Sequence, residues 1–157
     1  MRITITSKPN NKDLNEIASM VKKEFDYVKE PKEKIMQKLS AKNSVVFAAK
    51  KGNCVAGFVF LKLKKGLAWI DGFAVKKNFR GKGLGSMLLK HAIGFLQKKN
   101  YSIAMLSVYC SNRNAIKLYK KYGFIENNGK ARKIKGKKTA LLELFIPKKS
   151  ETTRSVS

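Results

Sequence analysis

Arg80-Gly81-Lys82-Gly83-Leu84-Gly85 lies between an apolar stretch, Leu67-Ala68-Trp69-Ile70-Asp71-Gly72-Phe73-Ala74-Val75, and a run with helical apolar spacing over residues 83–98. A strand, a glycine turn and a helix in that order leave the first helical amides without intrahelical acceptors. The helix dipole adds partial positive charge at the same place. This is an anion site suited to phosphate. Glycine matters because a side chain would hold a phosphate away from the backbone. The expected backbone donors are Gly81, Lys82, Gly83, Leu84, Gly85 and Ser86, with Arg80 placed to pair with a phosphate directly. Two common phosphate loops are excluded. The P-loop needs four residues between its glycines and a Gly-Lys-Ser/Thr ending. The dinucleotide fingerprint needs a third glycine where Leu88 stands, and a later acid that Met105-Leu106-Ser107-Val108 does not supply.

The 157 residues set one domain as the default, and 43% hydrophobic content is enough for a core. Cys54 and Cys110 have neither metal nor CxxC spacing, so reduced thiols in a cytoplasmic protein are expected. No signal peptide and no membrane-spanning apolar run is read from the sequence. One histidine, His91, argues against a histidine-based metal site, and no metal is expected. The formal charge is +25. It reads either as solvated lysine faces or as attraction to polyanions such as RNA, a ribosome or DNA. The same field disfavours a polyamine acceptor.

Residues 2–6 alternate as a first strand, and helical spacing follows from residue 13 to about 27. Pro31 suits the first position of a second helix carrying Ile35, Met36 and Leu39. Residues 45–49, 54–63 and 67–75 predict an antiparallel meander, with Gly52-Asn53 and Lys65-Gly66 as turns. Leu84, Leu88, Ala92 and Phe95 form the expected inner stripe of the helix after the loop. A strand over 103–108, a helix over 112–121 capped by Asn112, and a last strand over 140–146 complete the pattern. Residues 126–138 read as a hairpin arm or mobile loop, and 148–157 as a polar, disordered tail. The expected fold class is α/β: one domain over 1–147 around a partly antiparallel sheet.

The turn matches Arg/Gln-x-x-Gly-x-Gly/Ala through Arg80, Gly83 and Gly85. Further on stands Leu106-Ser107-Val108-Tyr109-Cys110-Ser111-Asn112-Arg113-Asn114-Ala115-Ile116-Lys117-Leu118-Tyr119-Lys120-Lys121-Tyr122-Gly123-Phe124, a strand followed by Asn-x-x-Ala-x-x-Leu-Tyr and Gly-Phe. Both motifs, in this order, resemble the GCN5-related N-acetyltransferase (GNAT) superfamily. The second stretch is most similar to N-terminal acetyltransferases of ribosomal proteins. The resemblance implies a mixed sheet splayed between two central strands and acetyl-CoA as co-substrate. It implies a pantetheine arm paired with the backbone of Phe73, Ala74 and Val75, and cofactor contacts from the loop, Asn112 and Tyr119.

Acetyl transfer to an amine needs a held thioester, a neutral amine, oxyanion stabilisation and a proton for the thiolate. The resemblance gives the last task to Tyr119, whose alternative is an amphipathic core tyrosine. The glutamates common in the superfamily are replaced by Trp69 and Ser107. Asp71, on the same strand face as Trp69, is the expected base, directly or through water; its alternative is an aspartate bound to backbone or a lysine. An α-amine is about 14% neutral at pH 7, against about 0.04% for a lysine amine, so a site without a strong base leans toward α-amines. Glu24, Asp26 and Glu30 near the joint of the first helices read either as attraction for a cationic acceptor or as helix-end solvation. Cys110 is expected to be a small packing residue, and His91 solvated or semi-buried. The resulting expectation is an acetyl-CoA-dependent N-acetyltransferase acting by direct attack, with a protein amine as acceptor. A small-molecule amine acetyltransferase, or a non-catalytic acetyl-CoA-binding module docking RNA or a ribosome through its basic surface, remain alternatives.

Overall fold

A computed structural model describes residues 2–127 and 132–148. The central part of the expected 126–138 arm and all but the first residue of the expected tail lie outside the described residues. The elements are β1 (Thr4–Thr6), α1 (Asn11–Glu24), α2 (Lys32–Leu39), β2 (Ser44–Lys51), β3 (Cys54–Lys64), β4 (Leu67–Val75), a 3-10 turn (Lys77–Phe79), α3 (Leu84–Lys98), β5 (Ile103–Tyr109), α4 (Arg113–Lys121), β6 (Ile125–Glu126), β7 (Lys133–Ile134) and β8 (Lys137–Phe145). They fall into two compact units. One holds the described residues of 1–63 and 70–92, the other those of 64–69 and 93–157. Among the described residues no helix is long and apolar enough to cross a membrane.

In the first unit the strand order is β1-β2-β3-β4. β1 and β2, and β2 and β3, pair antiparallel, with a bulge between Ala49 and Lys50. α1 begins where Asn10 closes a capping box: Asp13 N–H donates to Asn10 Oδ1 at 2.9 Å, and Asn10 N–H donates to Asp13 Oδ2 at 3.1 Å. Asp13 is buried, and Lys50 on β2 stands 2.9 Å from it, so the cap also ties the helix to the sheet. α1 ends at Glu24, three residues before the expected stop, with Phe25 as C-cap. Pro31 is the N-cap of α2 rather than its first residue. Ile17, Ala18 and Met20 of α1 and Ile35 and Leu39 of α2 bury against Val46, Val55 and Phe58 of the sheet. This burial is the largest favourable term holding the helices to the sheet.

β4 alternates cleanly. Ala68, Ile70, Gly72 and Ala74 are buried; Leu67, Trp69, Phe73 and Val75 are half-buried and Asp71 is exposed. β3 packs close behind it at Gly57. A Cβ there would lie 2.9 Å from the Ala74 carbonyl oxygen and 3.2 Å from Leu88 Cδ1 and Val75 Cγ2. In α3 the fully buried positions are Leu88, Leu89, Ala92 and Leu96. Phe95 is half-buried, so the inner stripe is centred one residue away from the expected Phe95.

In the second unit the order is β4-β5-β8-β6, with β7 paired to β8. Leu67, Ala68 and Trp69 run parallel to Ile103, Ala104 and Met105. β5 and β8 pair antiparallel from Ile103–Phe145 to Tyr109–Thr139. The sheet is therefore mixed, as expected. β6 does not stand out in the sequence, while the β7–β8 hairpin turns within residues 126–138, where a hairpin arm is one of the two expected forms. Each is two residues long on one side, and Ile125–Glu126 carries no alternation that marks a strand. Cys54 and Cys110 are both exposed. Cys110 is thus not the packing residue expected of it; its position just beyond β5 takes it out of the sheet.

Gly57→Ala is expected to lower stability by about 1–3 kcal/mol, because the new methyl must displace backbone rather than a flexible side chain. Urea denaturation of the variant beside the native chain checks this; an unchanged midpoint would contradict it.

Candidate active site

The turn after β4 takes the form its glycines predict. Gly81 and Gly83 adopt φ of +77° and +82°, in the left-handed region that glycine enters without a Cβ penalty. α3 starts at Leu84, and its first intrahelical bond runs from Met87 N–H to the Gly83 carbonyl at 3.0 Å. The amides of Leu84, Gly85 and Ser86 precede that bond, as an anion cradle requires. Lys82 Nζ stands 5.9 Å from the centroid of the Phe79 ring.

Arg80 is held within the chain as well as standing beside the turn. Its Nε–H donates to the Val75 carbonyl at 2.8 Å and its Nη2 to Glu24 Oε2 at 3.1 Å. It braces the end of β4 against the end of α1, with its other guanidinium donors left over for a ligand. The Val75 carbonyl is thereby already an acceptor within the chain. Just upstream, Lys76 N–H donates to the Ala56 carbonyl at 2.8 Å, and Lys76 Nζ pairs with Glu16. Glu16 also accepts from Val55 N–H at 2.9 Å. These contacts fix where the turn leaves the sheet.

Asp71 opens onto a cavity of about 530 Å³ lined by Phe25, Tyr27, Val28, Phe60 and Lys62 among others. Its nearest cation is Lys62, whose Nζ is 4.0 Å from Oδ2, with both side chains well exposed. The aspartate is thus on an accessible wall rather than locked in a buried pair. The neighbouring acids fare otherwise. Glu24 is paired to Arg80, and Glu30 accepts from Lys38 Nζ at 2.7 Å. That hydrogen bond holds the Glu30 carboxyl below the usual carboxylate value. Its small contribution to stability is complete above that value and fades as pH falls through the lowered one. Helix-end neutralisation, not an open acidic patch, is what Glu24 and Glu30 provide. His91 is exposed, with its ring edge on Phe47 at 5.0 Å between centroids.

In the second unit, Asn112 is the N-cap of α4, and its Oδ1 accepts from Ala115 N–H at 3.3 Å. The cap role is therefore filled. Tyr119 is buried, and its ring meets Phe124 edge-on at 5.6 Å. The Tyr119 carbonyl accepts from Tyr122 and Phe124 N–H as the chain leaves the helix at Gly123. Tyr122 is half-buried, with Lys121 over its ring.

The sequence model described as the Acetyltransferase (GNAT) family matches residues 12–124. The chain belongs to this family. Over 66 residues it is 38% identical to the spermine/spermidine N(1)-acetyltransferase of Bacillus subtilis, covering 39% of this chain and 41% of that protein. Over 72 residues it is 36% identical to the ribosomal protein bS18-alanine N-acetyltransferase of Salmonella typhimurium, covering 46% and 49%. The matches thus span about half the length of these curated relatives or less. The fold matches the ribosomal-protein-S18-alanine N-acetyltransferase of Escherichia coli, with a TM-score of 0.80 at 22% identity over 92% of this chain and 94% of that one. It also matches Arabidopsis thaliana NAA60 in complex with acetyl-CoA, with a TM-score of 0.77 at 19% identity over 92% and 99%.

Sequence reasoning missed the Glu24–Arg80 brace, the support by Gly57, and the Phe60 and Lys62 walls of the cavity. β3 is buried along both faces from Val55 to Leu61, so no alternation marks Phe60 as a wall. Glu24→Gln is expected to change stability by less than about 1 kcal/mol, since the pair is largely exposed. The same variant is expected to tighten a pyrophosphate ligand several-fold by releasing Arg80. Denaturation and calorimetry on one preparation check both; weaker ligand binding would show that Glu24 positions Arg80 for the ligand rather than competing for it.

Proposed function

We propose that this GNAT protein transfers an acetyl group from acetyl-CoA to a primary amine, with a protein N-terminal α-amine or lysine as first choice of acceptor and a small amine as second. The observation that carries this is the left-handed Gly81 and Gly83 turn, which exposes the first amides of α3 directly after β4. Pyrophosphate is held by those amides together with Lys82. Phe73, Ala74 and Val75 align the pantetheine arm as an added strand would. The neutral amine attacks the thioester carbonyl carbon, forming the C–N bond while the C–S bond breaks. The surplus proton on nitrogen passes to Asp71, directly or through water, and Tyr119 donates its proton to the leaving thiolate. A phenol needs only modest help to protonate a thiolate, since their reference values lie about 1.5 units apart. No covalent acetyl-enzyme forms.

Relatives in the family are named for a ribosomal protein and for polyamines alike, so support for the acceptor comes from this chain's own charge. At +25 it repels a polycation. The same charge supports a second reading, in which the basic surface recruits the protein to RNA or a ribosome. Binding of that kind falls steeply with salt.

The test is release of free CoA thiol with mass analysis of the acceptor. Tyr119→Phe keeps the ring packed on Phe124 and is expected to lower kcat by about 10²–10⁴-fold with acetyl-CoA affinity unchanged. Full turnover in this variant would remove Tyr119 as the acid. An acetylated enzyme on the reaction path would contradict direct attack.

A further inference from the structure

The cavity beside Asp71 has a charge balance opposite to the one an acceptor site for polycations needs. Its cations are Lys29, Lys38 and Lys62, and its acids are Glu30 and Asp71. Glu30 is spent on Lys38 at 2.7 Å, and Lys34 and Lys62 also act on it electrostatically. Lys29 is exposed and has no ion-pair partner among the described residues. Lys62 and Asp71 face each other at 4.0 Å, loosely enough to be exchanged. Phe25, Ile35 and Phe60 supply apolar walls. A volume of about 530 Å³ falls within the roughly 300–1,000 Å³ of pockets that enclose drug-sized ligands, enough for the first residues of a peptide.

Resting on the acetyl-transfer reading, we propose that this cavity is the acceptor subsite and that it selects a peptide N-terminus carrying an acidic residue next to the reacting amine. The acceptor ammonium takes Lys62's place beside Asp71, loses one proton to water, and attacks as the neutral amine with Asp71 placed to take the surplus proton. The freed Lys62, with Lys29, takes the acceptor carboxylate. Two ion pairs thus replace one loose one. An acceptor with a second cation in that place meets Lys29 and Lys62 as like charges, which is how this surface rejects it. The net charge of the chain adds long-range attraction for such an acid-bearing terminus.

The experiment measures fluorescence anisotropy of C-terminally labelled peptides that differ only at the second residue, Glu, Gln or Lys, with the full chain at moderate salt. The same peptides are then used for kcat and KM. The Glu peptide is expected to bind about tenfold tighter than the Lys peptide, with the difference carried in KM. Lys29→Glu is expected to erase or invert the ranking. Lys29 has no partner to lose, so its substitution leaves folding intact, and Lys62→Glu provides a second, independent charge reversal. Equal affinities, a preference for the Lys peptide, or a ranking untouched by Lys29→Glu would overturn the proposal. Free aspartate competing as well as the Glu peptide would replace the peptide by a small amino acid. Acetylation without charge ranking would leave acetyl transfer standing and remove this subsite. Ranked binding without acetylation would keep the subsite and remove the acetyl-transfer reading.

Discussion

The site depends on one constraint of backbone conformation: between β4 and α3 the chain passes through left-handed φ at Gly81 and Gly83. Only with that turn does α3 begin at Leu84 with its first amides uncovered. The surroundings hold the turn's entry in place. Lys76 is tied through its amide to Ala56 and through its ammonium to Glu16, and Arg80 is tied to Val75 and Glu24. Gly57 lets β3 approach so closely that the Ala74 carbonyl and Leu88 share one small space. Strand, turn and helix are thus fixed together, which is the pre-organisation that a phosphate cradle needs.

Charge is distributed with more order than +25 suggests. Four acids of α1 and its exit are answered by a cation: Asp13 by Lys50, Glu16 by Lys76, Glu24 by Arg80 and Glu30 by Lys38. The exposed pairs among them, Glu24–Arg80 and Glu30–Lys38, add little stability, while Asp13 is buried against Lys50. Their effect is to place the helix ends and to cancel the negative charge on them. What stays open on that side is Asp71 opposite Lys62, with Lys29 nearby on the same cavity. The chemistry proposed for the acceptor follows from this pattern of cancellation rather than from the total charge.

Most of the fold was legible in the sequence because its signals are local. The β4 alternation around Asp71, the glycine turn, the helical spacing of α1 and α3, and the Asn112 cap all rest on neighbouring residues, and each stands within a few residues of where the pattern put it. The left-handed turn and the start of α3 were legible for the same reason. What the sequence could not give depends on partners far apart in the chain. Glu24 and Arg80 are 56 residues apart, and Glu16 and Lys76 are 60 apart. Nothing in either neighbourhood announces the other, so neither tie was legible from the sequence around it. The short β6 and β7 strands are set by pairing with β8 rather than by their own composition.

The central claim is that the Gly81–Gly83 turn holds the pyrophosphate of acetyl-CoA. The most direct measurement is calorimetric titration of the full chain with acetyl-CoA at moderate salt, with ATP as the polyanion control and Gly85→Glu as the variant. The account predicts selective acetyl-CoA binding that the variant loses, because the new carboxylate sits among the cradle's amides. Equal binding of ATP and acetyl-CoA, or acetyl-CoA binding undisturbed by Gly85→Glu, would reduce the turn to one more basic patch and contradict the account.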